Sequence, residues 1–199
     1  MALLGLEFAP LRIPLQRRLQ TLVVLYFCTE FLLAGFLSTA LFVYLLFTRF
    51  YWISCAYALW FAFDYRVCFR GGRRSEGVRR WRAWRHFANY FPIKLIKTAE
   101  LPPDRNYIFG CHPHGILCFS HFINFGTEGT DFSATFPGIA PHLITLNYQF
   151  YIPLHREIFL LSGACSASRE SIDHILSKKG VGNAVAIITG GAVEVLDTE

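Results

Sequence analysis

Eighteen consecutive positions, residues 31 to 48 (FLLAGFLSTALFVYLLFT), carry no charged side chain, and another apolar octet lies on the far side of Glu30, back to Leu22. About 20 apolar residues carry a helix across a bilayer, so any fold for this chain has to house such a helix. A second apolar run, residues 50 to 63 (FYWISCAYALWFAF), follows after Arg49 alone. At 14 residues it is short for a span unless Asp64 and Arg66 reach out to the interface. One residue between the runs leaves room for a tight turn and no domain, which predicts a helical hairpin, transmembrane or re-entrant, over 20–64. Arg12, Arg17 and Arg18 precede the pair and an arginine-rich stretch follows it. The positive-inside rule therefore puts residues 1–19 and everything after the hairpin in the cytosol. The first residues have no compact apolar segment with a small-residue cleavage site and are expected to be retained.

Composition agrees with a membrane-associated chain. Charged residues make up 17% of 199 positions, against about 25% in a soluble domain. Residues 66 to 85 hold eight arginines against one acid, Glu76, a local net charge of +7 in a chain whose total is +5. Such a block beside apolar segments suits anionic headgroups or phosphorylated ligands, and argues against nucleic acid as the partner. The six cysteines (28, 55, 68, 111, 118, 165) show no CxxC spacing. That argues against a disulfide scaffold or zinc ribbon and predicts mostly buried thiols in a reducing compartment.

Residues 78 to 95 (VRRWRAWRHFANYFPIKL) interleave arginine with Trp81, Trp84, Phe87, Tyr90 and Phe91 at spacings of three and four. This predicts an amphipathic helix within a basic interfacial segment, 65–97, ended by Pro92, lying in the headgroup layer or packed on the domain. From residue 98 the pattern becomes short apolar runs punctuated by Gly and Pro. YIFG (107–110), LITL (143–146) and AVAIIT (184–189) predict buried strands. SRESIDHILSKKG (168–180) predicts a helix with Ser168 as N-cap and Gly180 as C-cap. Strand, helix, strand gives an α/β region over 98–199.

The chemistry gathers in NYIFGCHPHGIL, residues 106 to 117. His112 and His114 stand where Pro113 and Gly115 end a strand, the position at which α/β folds place ligands. A neutral imidazole there can take the proton of an alcohol as the alcohol attacks an activated carbonyl, provided an acid supports it. Five positions after the histidines stand Leu117 and Phe119, so the acid has to come from elsewhere. Glu194 in AVAIITGGAVEVLD follows a strand and the Gly190–Gly191 pair, which can bring it to the same sheet edge. Two other chemistries stay open. A metal hydrolase site could recruit His121 beside the His-x-His pair, and Cys111 or Cys118 could act as a nucleophile.

YFP (90–92), KTAELPPDRNYIFGCHPHG (97–115), FPGI (136–139) and GGAVE (190–194) together resemble the monoacylglycerol, diacylglycerol and wax-alcohol O-acyltransferase family. The resemblance covers essentially the whole chain, and EFAPL and RRLQTL near the start are most similar to the monoacylglycerol branch. It implies an α/β acyltransferase-like domain behind a membrane hairpin, and esterification of a lipid hydroxyl, monoacylglycerol or diacylglycerol, with acyl-CoA as co-substrate and no bound cofactor. It further implies the endoplasmic reticulum or lipid-droplet surface, membrane lipids as partners, and homo- or hetero-oligomers with related acyltransferases. His114 would be the base, Glu194 its support, and His112, Pro113, Gly115, Gly190 and Gly191 would shape the site. The family's Phe-Leu-x-Leu lipid-binding pattern would fall on Phe31, Leu32, Leu33 and Ala34, where Ala34 departs from it. The family's RKGF-type block and further strands have no counterpart before Glu199. On that expectation part of the sheet and of the acyl-CoA site is missing, and an inactive, droplet-binding relative is the alternative.

Overall fold

The computed structural model describes residues 2–3, 6–7, 12–115, 117–190 and 194. A short antiparallel pair, β1 (Ala2–Leu3) and β2 (Leu6–Glu7), precedes a 32-residue helix, α1 (Leu15–Leu46). The helix runs through Glu30 without a break and is long and apolar enough to cross a membrane. A turn follows in which Thr48 Oγ1 accepts from the Phe50 N–H at 3.1 Å, and α2 (Tyr51–Asp64) then packs back on α1. Ser54 donates to the Phe42 carbonyl at 2.8 Å, and Tyr57 stacks on Phe42 at 4.6 Å between ring centres. The expected helical pair is thus present, and its outer face leaves Phe36, Phe47, Leu59 and Phe63 exposed. Contiguous apolar surface of this kind needs a partner phase or molecule.

The α/β region holds one four-stranded parallel sheet. Its strands are β3 (Tyr107–Cys111), β4 (Ala140–Thr145), β5 (Cys165–Ser166) and β6 (Asn183–Ile188), in the order β3-β6-β4-β5, with the one-turn helices α5 (Phe119–His121) and α6 (Phe132–Thr135) between β3 and β4. After Asn183 the interior strand β6 is apolar, because both its faces are covered. Val185 packs with Ile175 of α8 (Arg169–Ser177), while Ala186 packs on the other face with Phe159 and Leu160 of α7 (His155–Ser162). Ser168 caps α8 as expected, accepting from the Ser171 N–H at 3.2 Å. Strand β4 begins three residues before its expected start and includes Pro141. Proline is tolerated there because the Ala140 N–H donates to Gly182 O on the β6 side, which turns the Pro141 nitrogen toward β5, and β5 pairs only with Ile144 and Thr145.

The amphipathic segment departs from expectation. Instead of one helix it forms α3 (Glu76–Arg79) and α4 (Arg82–Tyr90), with the chain extended at Trp81. Arg79 and Trp84 both turn inward, and on one unbroken helix residues five apart would diverge by more than a third of a turn. Trp84 and Phe87 bury against Val24 and Phe27 of α1, so this aromatic face is packed within the molecule. Arg79 is fully buried. It donates to the carbonyls of Phe125 and Ser162 at 3.1 and 2.8 Å and pairs with Glu128 at 3.0 Å, while Ser133 supplies Glu128 with two further hydrogen bonds. Three other arginines of the block reach acids outside it: Arg66 takes Glu170, Arg85 takes Asp131, and Arg73 joins Asp64, Glu157 and Arg156 at the base of α2, while Arg74 and Arg80 pair locally with Glu76.

Breaking the buried pair is expected to cost about 3–5 kcal/mol. Arg79→Met should therefore lower the thermal midpoint in detergent by roughly 10 °C, and Arg79→Met with Glu128→Met should recover part of the loss. His142, in β4, gives a pH-dependent counterpart. It is buried, its Nδ1 donates to Gly163 O at 3.1 Å, and burial first, then the nearby Lys179 charge, pushes its pKa down to about 3. The unfolded chain binds a proton below the ordinary value of 6.5 while the folded chain does not, so stability falls as pH drops from 6.5 toward about 3. Thermal melts at pH 7 and pH 5 should show a smaller loss in His142→Asn than in the wild type.

Candidate active site

Parallel pairing decides what can meet at the sheet edge. Cys111 lies opposite Ile188, so β3 and β6 end together, at the carboxyl edge where parallel sheets place ligands. Residues 112–115 leave from one strand end and Thr189 and Gly190 from the other, and Glu194 bridges them. Its Oε1 lies 2.7 Å from Nδ1 of His112, and its Oε2 accepts the His114 backbone N–H at 2.8 Å. Across the ring, Nε2 of His112 meets Thr189 Oγ1 at 2.7 Å. An Nδ1–H held by the carboxylate leaves Nε2 to accept from the threonine hydroxyl. The glycines serve this geometry. Gly115 turns the loop at φ +60°, and a Cβ on Gly190 would fall 1.9 Å from Glu194 Oε2, so glycine alone lets the carboxylate lie across the strand end. Gly191 lies outside the described residues.

The sequence expectation placed Glu194 behind the His114 imidazole. The structure instead gives it the His112 ring and only the main chain of His114. His112 is one step beyond the Cys111–Ile188 pair and so lies beside the β6 exit, while Pro113 carries His114 past it. The His112 ring, chiefly, holds the Glu194 carboxyl below its usual range. Its hold on the loop is therefore present above the ordinary carboxylate value and is lost as pH falls through the lowered one.

His114 faces another way. Its Nδ1 lies against the Gly115 carbonyl, and Cys118 Sγ sits 3.4 Å from both ring nitrogens while donating to His114 O at 3.1 Å. Burial pushes the Cys118 thiol up, which keeps it protonated. His114 lines an open cleft together with His112 and His121, and it also lines an apolar cavity of about 450 Å³. Phe27 and Phe31 of α1, Phe119, Phe122, Leu143 and Ile188 wall that cavity. Burial, chiefly, holds His121 below the ordinary imidazole range. Among the described residues, no group of three or more His, Cys, Asp and Glu side chains is arranged to hold a metal ion.

Residues 43–199 match the family model for diacylglycerol acyltransferase. The chain belongs to the diacylglycerol acyltransferase family. It is 50% identical over 181 residues to diacylglycerol O-acyltransferase 2 of Danio rerio, an alignment covering 91% of this chain and 50% of the relative. It is 48% identical over 191 residues to 2-acylglycerol O-acyltransferase 1 of Bos taurus, covering 96% and 57%. With diacylglycerol O-acyltransferase 2 of Homo sapiens it shares 45% identity over 187 residues, covering 94% and 48%. The chain thus spans about half the length of the curated relatives it matches. No solved structure matches it.

Three site contacts escaped the sequence reading. Thr189 on His112 and Cys118 on His114 depend on loop geometry that no spacing displays. Glu30 and His155, 2.6 Å apart across 125 positions, were foreshadowed only by a lone acid inside an apolar run. The Glu194 bridge makes a direct prediction. In hydrogen-exchange mass spectrometry, Glu194→Ala and Gly190→Ala should each raise exchange in the peptide carrying the His114 amide by about tenfold, with β4 unchanged.

Proposed function

We propose that this chain carries the catalytic part of an acyl-CoA-dependent O-acyltransferase that esterifies a monoacylglycerol or diacylglycerol hydroxyl in neutral-lipid synthesis. The observation that carries this reading is the position of His114, whose ring borders both the apolar cavity and the open cleft. The cavity suits acyl chains, and the cleft admits the polar acyl-CoA. The neutral His114 imidazole takes the proton of the lipid hydroxyl, the oxygen attacks the thioester carbonyl, and CoA leaves as a thiolate. Glu194 then acts through the loop, fixing His112 and the main chain of His114. The names of the relatives, acylglycerol acyltransferases, support the reaction class.

On this reading residues 1–19 are cytosolic and 20–64 form the membrane hairpin. Residues 65–97 lie at the interface, and 98–199 form a cytosolic catalytic region at the endoplasmic reticulum or a lipid droplet. Membrane lipids, and other copies of this chain or related acyltransferases, are its partners. A second reading takes His112 as the base, and the 2.7 Å bond from its Nδ1 to Glu194 favours it, since that is the arrangement of a carboxylate-supported imidazole.

Expression in microsomes lacking endogenous acyltransferases, with radiolabelled acyl-CoA and each acceptor, separates the two. With His114 as base, His114→Ala should lower turnover by about 10³-fold and His112→Ala by about tenfold. The reverse order selects His112. No turnover by the wild type after normal membrane insertion overturns both.

A further inference from the structure

The helical hairpin meets the α/β region along a narrow polar band, supplied by three consecutive residues in the first turn of α7. His155 Nδ1 lies 2.6 Å from Glu30 Oε1 of α1, and Arg156 pairs at 3.1 Å with Asp64 at the end of α2. Glu157 takes Arg73 and accepts from the Tyr57 hydroxyl of α2. Before the band, one face of α1 is packed on Trp84 and Phe87 of α4. Beyond it α2 is the partner, through Phe42, Ser54 and Tyr57, and Leu33, Phe36, Leu37 and Leu41 are exposed. Charged side chains are costly in hydrocarbon, so a hairpin seated in a bilayer has this band at the edge of the lipid and the apolar stretch past it inside.

An open groove of about 440 Å³ crosses the band between α1 and α7. From Tyr26 to Leu41 its α1 side runs about 22 Å, comparable to an extended long fatty acyl chain. Ala34 and Ser38 line it, small side chains at positions where a leucine or phenylalanine would close the gap. At the band the groove abuts the apolar cavity, because Glu30 and Ile158 line both. Helical phase explains the junction. Phe27 and Phe31 face the cavity, while Ala34, Leu37 and Leu41, at four, seven and eleven residues past Glu30, continue its own face out along the apolar helix. Any gap on the surface of a bilayer-embedded helix fills with lipid. This one ends on the wall of the chamber that His114 lines.

We propose that this groove is the route by which the acylglycerol acceptor passes from the membrane to His114. The acyl chain seats along α1 between Ala34 and Leu41, and the glycerol end enters the cavity past Ile158 and Glu30. This rests on the acyltransferase reading. Acyl chains in a bilayer run along the direction of a spanning helix, so a lipid with its glycerol end toward the α/β region docks here without turning over and without exposing its chain to water. Acyl-CoA comes by the open cleft, which His114 also lines. The two substrates then arrive from different phases and meet at one imidazole.

The test uses the full chain in phosphatidylcholine vesicles and reads binding separately from turnover. Monooleoylglycerol carrying a diazirine on its chain is added at rising mole fraction, and the labelled residues are mapped by mass spectrometry. Labelling at Leu37, Leu41 and Leu154 should saturate and be displaced by unlabelled monooleoylglycerol. Labelling at Leu59 and Phe63, exposed on α2 and outside the groove, should rise linearly as contact with bulk lipid does. Ala34→Phe and Leu37→Trp fill the groove at two different places. Each should lower turnover of monooleoylglycerol about tenfold and leave that of water-soluble monobutyrylglycerol within about twofold, which also shows that the variant folds. Linear labelling in the groove means bulk lipid only and overturns the inference, as does an effect of equal size on both acceptors in both variants; wild-type turnover then leaves the acyltransferase reading standing. Saturable groove labelling that both variants abolish, in a protein without turnover, keeps the lipid site and overturns the acyltransferase reading instead.

Discussion

Parallel pairing of β3 with β6 is the constraint on which the rest of the molecule turns. Two parallel strands cannot be joined by a tight turn, so the chain between them has to travel, and here it lays down β4, α7, β5 and α8 on the way. Those crossovers cover both faces of β6, which is why its six residues read as almost uninterrupted apolar sequence. The same pairing sends the HPHG loop and the Gly190 turn out of one edge. Without it, residues 82 positions apart in the chain would not share a hydrogen bond.

The arginine block is scaffold as much as surface. Six of its eight members, Arg66, Arg73, Arg74, Arg79, Arg80 and Arg85, have a carboxylate partner in the fold. Arg79 fastens the α3 turn to the 125–128 segment and to the end of α7, while Arg73 and Arg156 gather Asp64 and Glu157 where α2 meets α7. These contacts couple the apolar helices to the sheet. Packing of Val24 and Phe27 on Trp84 and Phe87 holds α1 in place, and α1 supplies Phe27 and Phe31 to the cavity wall. Helical hairpin and sheet therefore build one chamber between them, with His114 and Glu30 among its lining residues.

Much of this was legible beforehand because it follows from local pattern. An 18-residue run without charge makes a helix, Ser168 three residues before Ser171 makes a cap, and Pro and Gly after an apolar run end a strand. What escaped was long-range. The break between α3 and α4 comes from two inward-facing side chains that one helix could not serve, and α7 and β5 carry too few residues to show a period. Glu194 was correctly brought to the HPHG edge, since two strand ends could be matched, but which histidine ring it meets depends on how Pro113 aims the loop.

By itself the sequence determined the apolar helical pair, the α/β character of the remainder and the motif residues that place the chain in its family. Each of these rests on neighbours along the chain, where hydrophobic period and turn chemistry act directly. Tertiary structure alone decided the partners of the charged groups inside the fold and at its sheet edge: Glu128 for Arg79 and His155 for Glu30 in the interior, His112 for Glu194 at the strand ends. A buried ionisable group requires an opposite charge or a hydrogen bond, but physics does not say from how far along the chain that partner must come.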